Sequence, residues 1–301
     1  MHASTLRLTL LGKVELHRMD GVAVDRPLPL CPQTRNLIAY LALAKGKGVS
    51  RDELCEALRD EAARPARAGA FNTALWRLRH TLAEGDVPAE DVLFKRRDGC
   101  IGIRVDAPLT IDVASYLSLL LPALELPPDA LDASTVERLR TGVALYKGEL
   151  LPGVHDDWIL RERERLRRHQ LNALGRLVQA SVRAGDIDGG IGFAQRIVEI
   201  DELREDAHRD LMRLHMLAGQ RALALRQYET CRQILRRELS IVPMPQTQAL
   251  YQEIADSAVA RRNGDAVPLA QASQEVDALL AAARQHLAAA DAEIVRAMRK
   301  R

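Results

Sequence analysis

The segment RPARAGAFNTALWRLRHTL, residues 64–82, combines one apolar stripe with an outer face that carries no acid. Bulky apolar residues recur in it at spacings of four, three and four, at Phe71, Leu75, Leu78 and Leu82. This period is typical of an amphipathic helix with one buried side. No Asp or Glu occurs in residues 62–83, although the 301-residue chain has 41 of them. Because carboxylates would repel phosphates, an acid-free helical face is suited to a nucleic acid.

The elements predicted around this helix follow the order of a winged helix-turn-helix. The segment LRLTLLGKVELHRMDGVAVD, residues 6–25, alternates apolar and polar residues as strands do and contains an Asp-Gly turn signal. A helix is predicted in QTRNLIAYLALAKG, residues 33–46, and a second opens at a capping box of Ser50 and Glu53. After the acid-free helix, VLFKRRDGCIGIRVD, residues 92–106, predicts another hairpin with its own Asp-Gly turn. A small sheet, three helices and a hairpin in this order indicate a winged helix-turn-helix.

Candidate DNA contacts lie on the outer face of the acid-free helix and at the tip of the second hairpin. Arginine can reach a guanine edge or clamp a phosphate, and asparagine can read adenine. Basic side chains at the hairpin tip suit phosphate contacts beside the groove. The candidate DNA-binding residues are Arg67, Asn72, Thr73, Trp76, Arg77, Arg79, His80, Lys95, Arg96 and Arg97. The competing interpretation is a solvated basic surface, and the basic hairpin one element later, where a wing belongs, favours DNA.

Beyond the prolines of LPPDALDAS, residues 126–134, the sequence is almost entirely helical. A shift of 34 residues places Leu177 on Leu211 and Gly185 on Gly219, which is the period of the tetratricopeptide repeat. Further helices are predicted at about residues 135–148 and 157–172. The predicted fold class is therefore mostly α, with an N-terminal winged helix-turn-helix (α+β) followed by an all-α tetratricopeptide-like helical repeat domain.

The predicted domains differ in charge. They are a winged helix-turn-helix DNA-binding domain at 1–106, a helical domain at 107–260 and a C-terminal amphipathic helix at 261–301. The chain as a whole has a formal net charge of only +2, so a nucleic-acid site has to be a local patch. Residues 1–106 hold 17 basic and 14 acidic side chains, so the positive excess falls in the first domain.

The C-terminal segment has an apolar seam that repeats every seven residues. Its members are Val276, Leu280, Ala283, Leu287, Ala290, Ile294 and Ala297. Such a heptad seam predicts a helix that packs against another helix. Self-association into a homo-oligomer and docking back on the same chain both remain open, as does a single helix that caps the repeats.

Motifs of catalysis, metal binding and membrane insertion are absent from the sequence. The eight histidines form no HExxH pattern, the four cysteines form no CxxC pair, and neither GxSxG nor GxxxxGK[ST] occurs. No uncharged apolar run approaches the roughly 20 residues that span a membrane. The N-terminus does not read as a signal peptide, and scattered cysteines are typical of a reducing compartment. We therefore expect a cytoplasmic protein that is not an enzyme and has no metal, no cofactor and no membrane partner.

The order of motifs resembles that of the SARP type of bacterial transcriptional regulator over about residues 5–255. In this family an OmpR-like winged helix is joined to a bacterial transcriptional activator domain. LRLTLLGKVEL with DGVAV resembles the opening hairpin of the family, GVSRDELCEAL its second helix and LWRLRHTL the end of its recognition helix. VALYKGELLPGVHDDWILRERERLR, residues 143–167, resembles the start of the activator domain, and residues 208–254 resemble its closing repeats. Departures from the family pattern are Cys100, where an aromatic residue is usual, and the bulky Phe71 and Trp76.

The resemblance implies a sequence-specific DNA-binding regulator that activates transcription. Such a protein binds direct repeats in promoter DNA and contacts RNA polymerase. The resemblance implies that double-stranded DNA is contacted by Asn72, Thr73, Trp76, Arg77, Arg79 and His80, together with Arg96 and Arg97. The alternative from another functional class is a tetratricopeptide-type protein-interaction adaptor that does not bind DNA. The acid-free helix and the basic hairpin favour the regulator.

Overall fold

The computed structural model describes residues 5–20, 24–44, 46–57, 69–127 and 130–262. The chain divides into two compact units, Met1–Leu214 and His215–Arg301. The predicted fold class is confirmed, because a small N-terminal region of sheet, helices and a hairpin precedes a long run of helices. Among the described helices, none has the length and apolar character needed to cross a membrane.

In the N-terminal region, the described residues form two small sheets and four helices. Its elements are β1 (Thr5–Thr9), β2 (Glu15–Asp20), β3 (Val24–Leu28), α1 (Pro32–Leu43), α2 (Arg51–Ala57), α3 (Gly69–Glu84), α4 (Ala89–Val92), β4 (Leu93–Lys95), β5 (Ile101–Ile103) and β6 (Leu109–Ile111). The first sheet has the strand order β3-β2-β1-β6, in which β1 and β2 are antiparallel and β6 lies parallel to β1. The second sheet is the antiparallel hairpin of β4 and β5, extended by a bridge between Val49 and Ile101.

The buried core residues of this region come from the first sheet and from helices α1, α2 and α3. Alternate residues of β1 point inward, so Leu6 and Leu8 are fully buried while their neighbours in the strand are more exposed. The buried residues of the helices include Leu37, Ile38, Leu41, Leu54, Leu78 and Leu82. The predicted capping box is confirmed in part, since the Ser50 hydroxyl oxygen accepts the backbone N–H of Glu53 at 3.2 Å.

The remaining described elements are all helices. They are α5 (Asp112–Glu125), α6 (Ala133–Leu145), α7 (Asp157–Ala184), α8 (Ile187–Ile200), α9 (Glu205–Leu217), α10 (Arg221–Leu239) and α11 (Pro245–Arg262). The two glycines that coincide after the 34-residue shift, Gly185 and Gly219, both adopt left-handed backbone with φ of 73° and 72°. Gly190 and Ala224 also coincide, and both are buried. These matching conformations agree with the predicted helical repeat.

Strand β6 and the carboxylate that follows it join the first sheet to the helical region. Leu8 of β1 pairs with Ile111 of β6, which lies beyond the predicted domain boundary at residue 106. The Asp112 carboxylate then accepts the backbone N–H groups of Leu10 and Leu11 at 2.8 and 2.9 Å. The polypeptide therefore continues from the sheet into α5 without a free linker.

A second junction connects the turn after β1 to the loop that precedes α7. The backbone N–H of Gly12 donates to the carbonyl of Glu149 at 2.9 Å, and that of Leu151 donates to Leu10 at 3.1 Å. The guanidinium of Arg163 in α7 holds this loop by donating to the carbonyls of Leu150, Leu151 and Val154 at 2.9–3.0 Å. The winged helix and the first helices that follow it are consequently one packed body within the first unit.

Candidate nucleic-acid interface

Helix α3 buries one side and exposes the other, as its sequence predicts. Phe71 and Leu75 are 5% and 9% exposed, and Leu78 and Leu82 are fully buried. The buried side is fixed further by Thr81, whose hydroxyl donates to the Pro29 carbonyl at 3.2 Å. The six predicted contact residues on this helix are all exposed, namely Asn72, Thr73, Trp76, Arg77, Arg79 and His80. The structure thus brings them together on one surface, which we call the outer face of α3.

Aromatic stacking organises part of this outer face. The rings of Trp76 and His80 are nearly parallel, with an interplanar angle of 4° and centroids 5.6 Å apart. The His80 Nε2 atom also lies 3.3 Å from the Glu84 Oε1 atom, one helical turn further on. Glu84 is the first acid on the helix and stands at its last residue, so the acid-free character of the face ends there.

Arg77 reaches from the outer face to the start of α1. Its Nη1 atom donates to the Sγ atom of Cys31, the N-cap residue of that helix, at 3.6 Å. The same sulfur lies 3.0 Å from the Thr34 hydroxyl oxygen. Partial burial alone would raise the pKa of the Cys31 thiol, but the hydrogen bonds with Thr34 and Arg77 outweigh it and hold the pKa below its ordinary value. Sequence reasoning missed this contact, because nothing local relates two residues that lie in different helices.

The hairpin of β4 and β5 presents the three basic residues that the sequence assigned to a wing. Lys95, Arg96 and Arg97 are all exposed at its tip. Gly99 closes the turn with a φ of 85°, and its N–H donates to the Arg96 carbonyl at 3.0 Å. The predicted turn near Asp98-Gly99 is confirmed by this geometry.

The acidic side chain of Asp98, within the wing, takes part in the hydrogen bonding of the turn. The Asp98 carboxylate accepts the backbone N–H of Cys100 at 2.9 Å, and that hydrogen bond holds the pKa of Asp98 below its usual range. The Arg96 guanidinium stacks over the Phe94 ring at 5.4 Å from its centroid. The tip therefore keeps a positive excess, with one arginine oriented by an aromatic ring.

The base of the wing is closely packed around Gly102. A Cβ atom at this position would lie 2.5 Å from the Phe94 ring and 2.9 Å from the Lys47 carbonyl oxygen. Only glycine lets β4, β5 and the segment before Val49 approach this closely. The glycine in the sequence IGI is the signal that could have indicated this contact.

Arg67 lies outside the described residues, so its predicted role stays a prediction. Arg51, which the sequence reasoning missed, is exposed at the start of α2, and its guanidinium carbon lies 5.7 Å from the centroid of the Phe71 ring. It adds a positive charge near the first turn of α3. Nowhere in the described ranges do three or more His, Cys, Asp or Glu side chains gather so as to hold a metal ion.

Comparison with known proteins finds a family match for the helical region. Residues 111–255 match the family model of the bacterial transcriptional activator domain. The transcriptional regulatory protein MoaR1 of Mycobacterium tuberculosis is 26% identical over 258 residues, which cover 84% of this chain and 80% of MoaR1. The regulatory protein AfsR of Streptomyces coelicolor is 30% identical over 261 residues, which cover 86% of this chain and only 25% of AfsR.

A solved structure shows the same fold over most of the chain. It is that of Mycobacterium tuberculosis EmbR in complex with a low affinity phosphopeptide. It aligns with a TM-score of 0.65 at 20% identity and covers 84% of this chain and 66% of the EmbR chain. The matches support the regulator and give no support to the adaptor. The chain therefore has a region that matches the bacterial transcriptional activator domain behind a winged helix-turn-helix, and these similarities support a SARP-type transcriptional regulator.

Proposed function

We propose that this regulator binds specific promoter DNA by inserting the outer face of α3 into the major groove. The observation that carries the proposal is the division of α3 into a buried leucine stripe and an exposed, acid-free face with two arginines. A helix of this kind fits the groove, where arginine can donate two hydrogen bonds to guanine, and asparagine can donate one to adenine N7 and accept one from its N6 amino group. The proposed base contacts are Asn72, Thr73, Trp76, Arg77, Arg79 and His80.

In this arrangement the wing contacts the sugar-phosphate backbone beside the groove. Lys95, Arg96 and Arg97 are exposed cations at the tip of a short hairpin, which suits phosphate contacts that set orientation and carry no sequence information. Arg51, near the first turn of α3, belongs to the same basic surface in the proposal. Arg67, which precedes α3 in the sequence, remains a proposed DNA contact. Neutralised phosphates release counterions, so binding should weaken steeply as salt rises.

The helical domain provides the second half of the proposed function. It would join two protomers on repeated DNA sites about one helical turn apart, or a multiple of it, and present a surface to RNA polymerase. The family resemblance supports activation of transcription and a cytoplasmic location. The heptad seam at residues 276–297, which lies outside the described residues, is the proposed self-association element. Removal of residues 265–301 should then lower the oligomeric state measured by mass in solution, and an unchanged oligomeric state would exclude the seam as the oligomer contact.

The DNA-binding proposal is tested by selection of binding sites from random duplexes, followed by titrations across a salt series. The double variant Arg77→Ala, Arg79→Ala should weaken binding and lose the enriched motif, because these side chains are the proposed base contacts. Arg161→Ala, Arg168→Ala is the matched control, because it removes two exposed arginines from α7. Weak, motif-free, salt-insensitive binding that the first variant leaves unchanged would favour the adaptor.

A further inference from the structure

Trp76 has a bulky apolar side chain that is exposed on α3, and the packing of the helix does not explain this exposure. It is 64% exposed, whereas Phe71, Leu75, Leu78 and Leu82 of the same helix are buried. An exposed tryptophan leaves a large apolar area in water and is among the side chains most often used as anchors in interfaces. Since it stands among polar and basic neighbours on the outer face of α3, its partner should offer one apolar group in a polar setting.

The stack with His80 fixes the direction in which the indole can make contact. The two rings are offset and nearly parallel, so His80 covers part of one indole face. Long side chains in a helix lean toward its N-terminus, which places the imidazole over the preceding turn, where Trp76 begins. His80 is itself held by Glu84, whose Oε1 atom lies 3.3 Å from its Nε2 atom. Since Trp76 is 64% exposed, indole surface that His80 does not cover is open to a ligand.

Among the groups that bases present in the major groove, the thymine methyl group is the one that matches an apolar ring edge. Guanine, adenine and cytosine present hydrogen-bond donors and acceptors there, and thymine adds a C5-methyl group. Apart from its single N–H donor, an indole placed against the polar base edges would remove water from them without replacing their hydrogen bonds. Against the thymine methyl it would bury apolar surface on both sides.

We propose that Trp76 determines specificity for a thymine in the operator by packing on its C5-methyl group, with His80 as the positioning residue that holds the indole. The inference rests on the proposed binding of α3 in the major groove. It assigns Trp76 a base-specific contact that is apolar, in contrast to the hydrogen-bonding roles of Arg77, Arg79 and Asn72 on the same face.

The test removes the methyl group from the DNA and the indole from the protein. The probe is the duplex most enriched from a random library by the full chain, in which each thymidine in turn is replaced by deoxyuridine. With the unaltered protein, one position should lose affinity by about fourfold, the effect of burying one methyl group. With Trp76→Ala the same replacement should have no effect, because the indole that contacts the methyl is gone.

Two further variants test the role of His80 and the specificity of the effect. His80→Ala should lower the discrimination between thymidine and deoxyuridine, and His80→Phe should retain it, because phenylalanine keeps a flat ring for the stack. Arg79→Ala is the matched control on the same face, and it should weaken binding to both duplexes while it leaves their ratio unchanged.

The outcomes separate this inference from the proposed function. Failure to enrich any duplex overturns the DNA-binding proposal and this inference with it. An enriched duplex in which no thymidine position responds to deoxyuridine, or in which the response survives Trp76→Ala, overturns the thymine contact alone. Equal loss of discrimination in His80→Ala and His80→Phe overturns the positioning role of the imidazole ring.

Discussion

Tyr40 and Trp158 meet edge to face, with ring centroids 4.5 Å apart and an interplanar angle of 71°. Tyr40 lies in α1 of the winged helix, and Trp158 is the second residue of α7 in the activator domain. The contact therefore lies on the surface along which two functional regions of the first unit pack together. An aromatic pair of this geometry contributes stability beyond the apolar area that it buries.

A double-mutant cycle of Tyr40→Ala and Trp158→Ala should show a coupling of about 0.5–1.5 kcal/mol in the free energy of unfolding. The measurement is urea denaturation of the two single variants and the double variant. Tyr40→Phe is the control, since it keeps the ring and removes only the hydroxyl that donates to Glu53 at 3.1 Å. Its coupling to Trp158 should be retained, and additive losses in the alanine cycle would show that the rings do not stabilise the junction.

Substitutions of two neighbouring residues in α3 should distinguish an effect on folding from an effect on DNA binding. Leu78 is fully buried, so Leu78→Ala should lower the free energy of unfolding by about 2–5 kcal/mol. Arg79 is exposed, so Arg79→Ala should change it by no more than about 0.5 kcal/mol while it weakens DNA binding. Denaturation and DNA titration of both variants provide the check. A large loss of stability in Arg79→Ala would mean that this side chain supports the fold.

Replacement of Gly102 by alanine should disturb the wing through Phe94. The added Cβ atom would lie 2.5 Å from the Phe94 ring, which has to move and take Arg96 with it. We expect a loss of about 1–3 kcal/mol in stability, together with weaker DNA binding. Denaturant unfolding and DNA titration measure the two effects. Gly99→Asn is the control, because that position has open space and asparagine tolerates positive φ; an equal loss there would contradict the packing argument.

Asp186 should make the stability of α8 depend on pH. It is the N-cap of that helix, and its carboxylate accepts the Gly189 N–H and the Arg140 guanidinium, both at 3.0 Å. The Gly189 hydrogen bond first, and then Arg140, hold the pKa of Asp186 below its ordinary value. A folded-state pKa below the unfolded one means that the unfolded chain binds more protons. The contribution is therefore complete above a pH of about 4 and is lost as the pH falls through the folded pKa.

Variants of Asp186 check this dependence by denaturation at several pH values. Asp186→Ala should cost about 1 kcal/mol at neutral pH, as expected for a lost N-cap. Asp186→Asn should retain part of the cap and show less loss of stability in acid. If the two variants had the same pH profile as the unaltered protein, another group would be responsible for the acid sensitivity.

The outer face of α3 could be predicted from the sequence because every residue on it follows from one helical period. The stripe from Phe71 to Leu82 defines the buried side, and the positions of Arg77, Arg79 and His80 follow from it. The stack of Trp76 on His80 also had a local signal, since residues four apart meet on a helix. The wing was predictable for a similar reason, because its Asp-Gly turn and its three basic residues are consecutive.

Features that depend on distant partners could not be predicted in this way. Strand β6 has three residues and pairs in parallel with β1, so it shows no alternation long enough to recognise. The helix that follows it, α5, was not predicted either, since its apolar sequence surrounds Pro122 and borders a proline-rich loop. The contact of Arg77 with Cys31 and the role of Arg163 became visible only when the folded chain brought separate segments together.

The hydrogen bonds between the turn after β1 and the loop before α7 have a consequence for how an operator is built. The winged helix cannot swivel against α7 unless the bonds of Gly12, Leu151 and Asp112 break. With α3 in a major groove as proposed, the direction in which that groove faces around the DNA axis determines the direction in which α7 faces. A shift of the site by half a turn of duplex, about five base pairs, would carry α7 to the opposite side of the DNA. The operator would then determine which side of the DNA the activator domain faces, as well as where the protein binds.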